Sequence, residues 1–342
     1  MRTLRNEYRI KPAHGRALPA LLSAAALLAA PVAAHACAAC GDMLSGDWGV
    51  LGAPGAPGFV ADVSYSYLNQ DRQRYGSGAA SPALINQQLN AGQEVEAYTR
   101  TQTVTATLIY SDDDWGVAAQ LPYLKRTHGT YGTTAPLGSS YSTSSDSGLG
   151  DVRLTGRYMG WSADRGSGLI AGMKFPTGHT GATFGAGAAA GSPLDASLQI
   201  GTGSTDVIAG GYLSGTIGNH GWFVQGMVQR AVATQNNYRP GDTLTFNASV
   251  RYAGYGARIA PMLQLNVVNR QPDSGLNATP ADPVTQGPTT GGTLVYLSPG
   301  ASVRAGDGYS VYGFVQLPVY EKVNSLQLTP RYTITLGARR AF

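Results

Sequence analysis

From Phe59 to Phe342 the chain alternates polar and apolar residues with a period of two. That period suits strands with one wet and one dry face, not helices. Thr243-Leu-Thr-Phe-Asn-Ala-Ser-Val-Arg-Tyr252 keeps it along most of its length, and so does Tyr332-Thr-Ile-Thr-Leu336. Twelve such runs are counted, at 59–69, 95–110, 115–126, 149–161, 167–176, 204–217, 221–233, 242–254, 257–270, 292–304, 308–320 and 328–342. Most are about 10–15 residues long, which exceeds ordinary soluble strands and suits tilted strands crossing an outer membrane.

The connections carry more information than the strands. Four odd-numbered ones are long, about 25 residues after the first run and about 20 or more after the third, fifth and ninth. The seventh and eleventh are shorter, at about 7–8 residues. Even-numbered connections are tight Gly/Asp/Asn turns such as Ser111-Asp-Asp-Asp114, Gly218-Asn-His-Gly221 and Ala305-Gly-Asp-Gly308, of the kind that closes hairpins. Long loops on one end and short turns on the other mark bacterial outer-membrane barrels. A secreted β-sandwich, the competing fold, has no need of long loops at one end only. In the last run Tyr332, Ile334, Leu336, Ala338 and Phe342 share one parity, with Arg340 interrupting near the end, where its head reaches the lipid headgroups. The expectation is an all-β, antiparallel transmembrane β-barrel of 12 strands over residues 59–342.

Residues 1–36 read as a secretory signal peptide. Arg2 to Arg16 form a basic start, Leu18 to Val32 a short apolar core, and Ala34-His35-Ala36 a cleavage site of small residues. This leader also explains the net charge of +4, because it holds five Lys/Arg and one acid. Of the 24 basic and 20 acidic residues in the chain, 19 of each remain beyond it. The neutral remainder removes any reason to expect a nucleic-acid partner. Residues 37–58 form a separate segment rich in Gly and Pro with Trp48, read either as a plug or as a periplasmic tail. Its two cysteines, Cys37 and Cys40, are the only ones in the chain. In an oxidising periplasm they are disulfide candidates. Gly41 in place of His excludes a haem site, and Ala34 argues against a lipid anchor on Cys37. Two thiols beside His35 also make a minority soft-metal reading, though they fall short of a closed zinc site.

Several stretches resemble a known family. Ser147-Gly-Leu-Gly-Asp-Val152 with Leu154, Gly156 and Tyr158, then Lys174-Phe-Pro-Thr-Gly178, Gly201-Thr-Gly-Ser-Thr-Asp206, Tyr238-Arg-Pro-Gly-Asp242 and Leu317-Pro-Val-Tyr320 occur in order. In that order they resemble the outer-membrane β-barrel family of the MetA pathway of phenol degradation. The resemblance implies a barrel that passes aromatic or other hydrophobic compounds, with no catalytic residues. It also implies that Phe342 is the assembly signal read by the barrel-assembly machinery.

Catalysis needs a nucleophile, a base and an orienter together. His128, His179 and His220 fall in loops or turns by sequence and read as solvated. Asp112-Asp-Asp114 lacks the further spaced ligands of a calcium loop and reads as a solvated turn. The expectation is no enzyme, no cofactor and no metal.

With the apolar parity facing lipid, the opposite face supplies the lumen-lining candidates. They are Arg153, Arg157, Lys174, Arg251, Arg258 and Arg331, with Tyr212, Tyr296, Tyr312 and Phe314. Asp62, Asp151 and Asp206 share that parity. Two readings of these charges stay open, a mild positive excess that favours anions and pairing that simply fills the interior. The inward aromatics suit a flat apolar solute. The functional expectation is an outer-membrane channel or carrier for small solutes, hydrophobic or aromatic ones included. Its partners would be outer-membrane lipid, the solute and the barrel-assembly machinery. The alternatives are a non-transporting structural or adhesive barrel and, behind it, an outer-membrane hydrolase.

Overall fold

The computed structural model describes residues 57–132, 140–252, 254, 258–276, 278, 281–282 and 284–342. The leader, Cys37, Cys40 and the plug-or-tail segment through residue 56 lie outside the described residues. Among the described residues fourteen strands are formed: β1 (Gly58–Gly76), β2 (Gly78–Ala79), β3 (Val95–Ser111), β4 (Trp115–Tyr131), β5 (Tyr141–Leu149), β6 (Val152–Tyr158) and β7 (Ser167–Phe175). Then come β8 (Ala186–Gly187), β9 (Ser204–Ile217), β10 (His220–Thr234), β11 (Thr243–Tyr252), β12 (Ile259–Arg270), β13 (Gly292–Gly306) and β14 (Tyr309–Ala341). One helix, α1 (Pro82–Asn90), lies in the first loop. Its start is marked by Ser81, whose side chain accepts from the Leu84 N–H, and by Pro at the first turn.

Eleven strands close a ring in the order β1, β3, β4, β6, β7, β9, β10, β11, β12, β13, β14, and β14 returns to β1. Every pairing in it is antiparallel. β14 is continuous over 33 residues but folds back on itself. Its first part pairs antiparallel with β13 up to Val323, and the rest pairs antiparallel with β1. The Ala341 N–H donates to the Gly308 carbonyl at 3.0 Å, which closes this last hairpin. Counted as crossings, the ring makes the twelve passes expected. Closure matters because hydrocarbon offers no partner for an open strand edge.

The two faces are inverted relative to a soluble sheet. Val63, Leu108, Leu169, Leu213, Val250, Val311 and Leu336 point outward and are exposed, while Ser66, Thr99, Asn247, Gln264, Asn266 and Gln316 are buried inside. An apolar exterior flanked by aromatics is the surface of a membrane-spanning barrel. At the end where β1 begins and β14 stops, the Phe59, Tyr110 and Trp115 rings meet in sequence, tilted, at 4.9 and 5.3 Å, and Tyr158 meets Trp161 edge-on at 5.6 Å. Short turns gather there, as on a periplasmic rim. In one, Asp307 and Gly308 both have positive φ, 45° and 79°, the pattern that matches strand twist in a two-residue hairpin.

The strand boundaries depart from expectation at the outer end. β5 was not among the expected runs. It extends the wall above β6, pairing with the outer part of β4 from Tyr123↔Leu149 to Tyr131↔Tyr141. The third loop therefore shrinks to residues 132–140, and the eleventh connection becomes a tight reversal near Asn324. The long connection after β7, residues 176–203, remains.

Candidate functional site

The barrel encloses a cavity of about 530 Å³ that is lined both by strands and by the loop after β7. This loop turns into the lumen, and its neck is built first. Gly178 and Gly201 meet so closely that a Cβ on Gly201 would lie 2.1 Å from the Gly178 carbonyl oxygen. Asp151, in the two-residue break between β5 and β6, bridges the neck. It accepts from the Gly178 N–H at 3.0 Å, the Thr202 N–H at 3.0 Å and the Thr202 hydroxyl at 2.6 Å. Inside the loop Phe184, Ala189, Leu194 and Leu198 form a small core of their own. Gln199 stitches the turns together, accepting from the Gly181 and Ala182 N–H groups and donating to the Leu194 carbonyl. From the opposite strand Arg126 donates to the Gln199 carbonyl at 2.8 Å. Ser197, Gln199, Ile200 and Thr202 thus present themselves to the cavity.

Beneath the neck lies a charged wall on β6, β7, β9 and β10. Lys174 is buried with its ammonium 2.9 Å from Asp151 and 3.4 Å from Asp206, and it donates also to Thr202 and Ser204. The Ser204 hydroxyl donates to Asp206 at 2.6 Å. The Gln229 amide nitrogen donates to the same carboxylate at 2.5 Å, and this aims its carbonyl oxygen at the Arg153 guanidinium, 2.9 Å away. The facing wall is neutral below the Arg270–Asp273 ion pair at its outer end. Asn247 donates to Gln225 at 3.3 Å, Asn266 to Asn247 at 2.8 Å and the Ser298 hydroxyl to Asn266 at 2.8 Å.

Toward the periplasmic end the lumen becomes apolar. Ile170, Tyr212, Phe223, Met262, Tyr312 and Phe314 pack as one buried cluster with Met227 against it. The Tyr212 and Phe223 rings stack at 5.8 Å. Three of these aromatics lie over inward glycines of the neighbouring strand. A Cβ on Gly168, Gly300 or Gly337 would meet the ring of Tyr212, Phe314 or Tyr312 at 2.4, 2.2 or 2.2 Å respectively. This pairing of a large ring with a residue that has no side chain accounts for part of the chain's 46 glycines. Tyr312 is tethered at its hydroxyl, which donates to Asp62 at 3.0 Å, and Arg339 donates to the same carboxylate at 3.0 Å.

The sequence candidates distribute unevenly around this geometry. Arg153, Lys174, Tyr312 and Phe314 line the cavity. Tyr212 is buried beside it, Tyr296 packs in a separate cluster with Leu294 and Val323, and Arg157 lies four residues from Arg153 along β6. Arg251 is partly buried near Gly221, and Arg258 is exposed just before β12. Arg331 is a correction. The ladder between β1 and β14 shifts register between Asn69 and Gln70 and again between Gln70 and Arg72. Arg331 consequently stands 56% exposed, bound to Asp71 at 2.8 Å, away from the cavity lining.

His128 is a second correction, since it is not solvated. It sits within β4, fully buried, with Nδ1 2.9 Å from the Thr99 hydroxyl and Nε2 3.5 Å from Glu94. Its ring lies 6.2 Å from Phe184, so it buttresses the inserted loop. His179 pairs with Asp146 at 2.7 Å, and His220 opens β10 on the exposed rim. Sequence reasoning missed Arg126 and Gln229, although both follow the inward parity of their strands: Arg126 after Gln120 and Leu124, Gln229 after Gln225 and Met227.

The outer mouth is tied as well. Asp282, between β12 and β13, accepts from Gln88 of α1 at 2.6 Å and from Ser325, so three connections meet on one carboxylate. Burial pushes that carboxyl up. Hydrogen bonds from Ser325, Thr285 and the Val284 N–H outweigh it and hold the group below the usual carboxylate range.

No curated protein is matched by the sequence. Among solved structures, the fold is similar to the COG4313 outer membrane channel from Pseudomonas putida F1, at 12% identity and a TM-score of 0.59, covering 88% of this chain and 100% of that one. Weaker likenesses include the translocator domain of the autotransporter NalP from Neisseria meningitidis, at 10% identity and TM-score 0.45, covering 84% and 90%. Another is the TodX monoaromatic hydrocarbon channel, in its deltaS2 mutant, at 10% identity and TM-score 0.45, covering 84% and 91%. The first of these shows that the ring described above is an outer-membrane barrel fold. A family model spans residues 70–306, from the outer part of β1 to the end of β13, and with that match the chain belongs to the family described as "Putative MetA-pathway of phenol degradation".

Proposed function

We propose that this barrel is an outer-membrane channel for small hydrophobic solutes, aromatic ones among them, and that it works without turnover chemistry. The observation that carries the reading is the lumen cavity, lined on one side by an inserted loop and toward the periplasm by an aromatic cluster. An open aqueous pore would leave those rings wet, whereas here Tyr312, Phe314 and Phe223 are nine-tenths or more buried. Concave sites that combine apolar surface with fixed polar groups suit small organic ligands. The family's description agrees with this reading. Against catalysis stands the placement of the buried histidine between β3 and β4, while His179 pairs with Asp146 outside the cavity lining. Thr99 and His128 are buried away from the cavity and serve to hold the loop.

In this reading the apolar band meets outer-membrane lipid, and Phe342 ends the strand that the barrel-assembly machinery engages. The same proposal has Cys37 and Cys40, outside the described residues, pairing as a disulfide in the oxidising periplasm. The test is uptake of labelled toluene by a Gram-negative host whose lipopolysaccharide leaflet is intact. Expression of the full chain should raise the initial rate severalfold. A heat-modifiable, correctly inserted barrel that leaves the rate at the vector level would replace this reading with a sealed, structural barrel.

A further inference from the structure

Five cations line the cavity, and four of them are committed. Lys174 is held by Asp151 and Asp206, Arg339 by Asp62, Arg270 by Asp273 at 2.6 Å, and Arg126 by two backbone carbonyls of the inserted loop. Arg153 differs. A guanidinium has five N–H donors, and the hydrogen bond recorded for this one goes to a neutral amide, Gln229. Among the described residues no carboxylate lies within ion-pair distance of it. The nearby acids are saturated by other donors. Asp151 takes the neck N–H groups, Thr202 and Lys174, and Asp206 takes Ser204, Gln229 and Lys174. The Asp206–Gln229 pair fixes Arg153 from one side, and the rest of its fork is left for the cavity. Along the lumen from Arg153 toward the periplasm lie Thr155, Ile170, Ile208 and Met227, which lead to the aromatic cluster.

We infer that Arg153 anchors the carboxylate of an aromatic monocarboxylic acid, with the ring seated on the apolar surface of Ile170, Ile208 and Met227. This deepens the channel reading and rests on it. A planar fork matches a carboxylate through paired, charge-assisted hydrogen bonds. Asp206 and Asp151 act on Arg153 only from beyond ion-pair distance and are shared with Lys174, so the ligand's carboxylate would be the first acid in direct contact with the fork. A neutral hydrocarbon would have the apolar seat and nothing for the fork, so the site ranks aromatic acids above hydrocarbons of the same shape.

The experiment is calorimetric titration of the refolded full chain in detergent with benzoate and with benzyl alcohol, which share a ring and differ in charge. Benzoate should bind about tenfold or more tightly than benzyl alcohol, the increment of a charge-assisted pair. Arg153→Gln should bring the two within about twofold, and Arg153→Lys, which keeps the charge but not the fork, should fall between. Heat-modifiability of each variant reports folding independently. Equal binding of the two probes by the unaltered chain overturns the inference, and so does a benzoate preference that survives in a folded Arg153→Gln barrel. Should the glutamine variant fail to fold, the lysine variant decides, because an unchanged benzoate affinity there overturns the fork's role. Because the titration reads binding and not flux, toluene uptake can succeed while this inference fails, and the reverse.

Discussion

The two sides of the lumen solve the same problem differently. On β6, β7, β9 and β10 the wall is ionic, with Lys174 between two carboxylates and Arg153 alongside. On β10 to β13 it is a ladder of amides and a hydroxyl, from Gln225 through Asn247 and Asn266 to Ser298. Both satisfy buried polar groups, but the charges of the ionic wall also hold the neck of the inserted loop, through Asp151 and Lys174. The difference teaches what the charges are for. Neutral amides suffice to line a wall, whereas a loop that must be held at its neck needs an acceptor able to take several N–H and O–H donors at once. A carboxylate with a buried counter-ion is such an acceptor.

The sharpest way to break the comparison is Lys174→Met. It keeps the volume, removes the charge and leaves Asp151 and Asp206 buried without their cation. The cost should be about 3–5 kcal/mol, read as a fall in the unfolding midpoint in urea. A loss below about 1 kcal/mol, in the range of exposed pairs, would mean that the ionic wall is solvated. Next in size is Gly201→Val, which forces a side chain into the Gly178 backbone and should cost about 1–3 kcal/mol as an overpacked site. The barrel ring should persist while the loop leaves the lumen, so single-channel conductance in planar bilayers should rise. Unchanged conductance in a folded variant would show that the neck does not set the aperture. Asn266→Ala probes the facing wall and should cost about 1–3 kcal/mol by orphaning its buried partners, with conductance left alone. Should it alter conductance as much as Gly201→Val, the assignment of separate tasks to the two walls is wrong.

Much of this arrangement could be read from the chain beforehand, and the failures have local causes. Parity along β11 is unbroken, so Asn247 and Val250 fall on opposite faces as the alternation requires. Arg331 fails because it is itself a bulged residue, skipped between the Asn69–Tyr332 and Gln70–Pro330 pairs, and it turns to Asp71, the residue skipped on β1. β5 escapes detection because Tyr-Ser-Thr-Ser-Ser-Asp-Ser-Gly-Leu carries no apolar face. A strand standing beyond the lipid has no need of one. The seating of the loop was hidden for a different reason. Arg126 reaches a carbonyl 73 residues away, and no local pattern announces such a bond.

The smallest effect expected concerns pH at the outer mouth, where neither wall takes part. Asp282 has a carboxyl held below its unfolded value. Its contribution is therefore complete above the ordinary carboxylate range and is lost as pH falls through the lower, folded value. Hydrogen exchange of the loops at 82–90 and 281–291 should quicken on acidification through that window. Asp282→Asn should show the quickened rate already at neutral pH and little further change. An acid response that persists in the variant would assign the effect to another group.

The seam between β1 and β14 has one more consequence, which concerns assembly. A barrel is sealed once, and a two-residue slip at sealing would preserve every inward and outward face, so parity offers no protection against it. Asp62 does. In the native register it lies directly opposite Arg339 and under the hydroxyl of Tyr312. A slipped seam would separate the carboxylate from Arg339, which lies on the strand that slips, and leave it in a closed interior with its charge uncompensated. The arrangement that looks like lumen lining in the finished barrel therefore also favours the native alignment over the near-miss that alternation alone would accept.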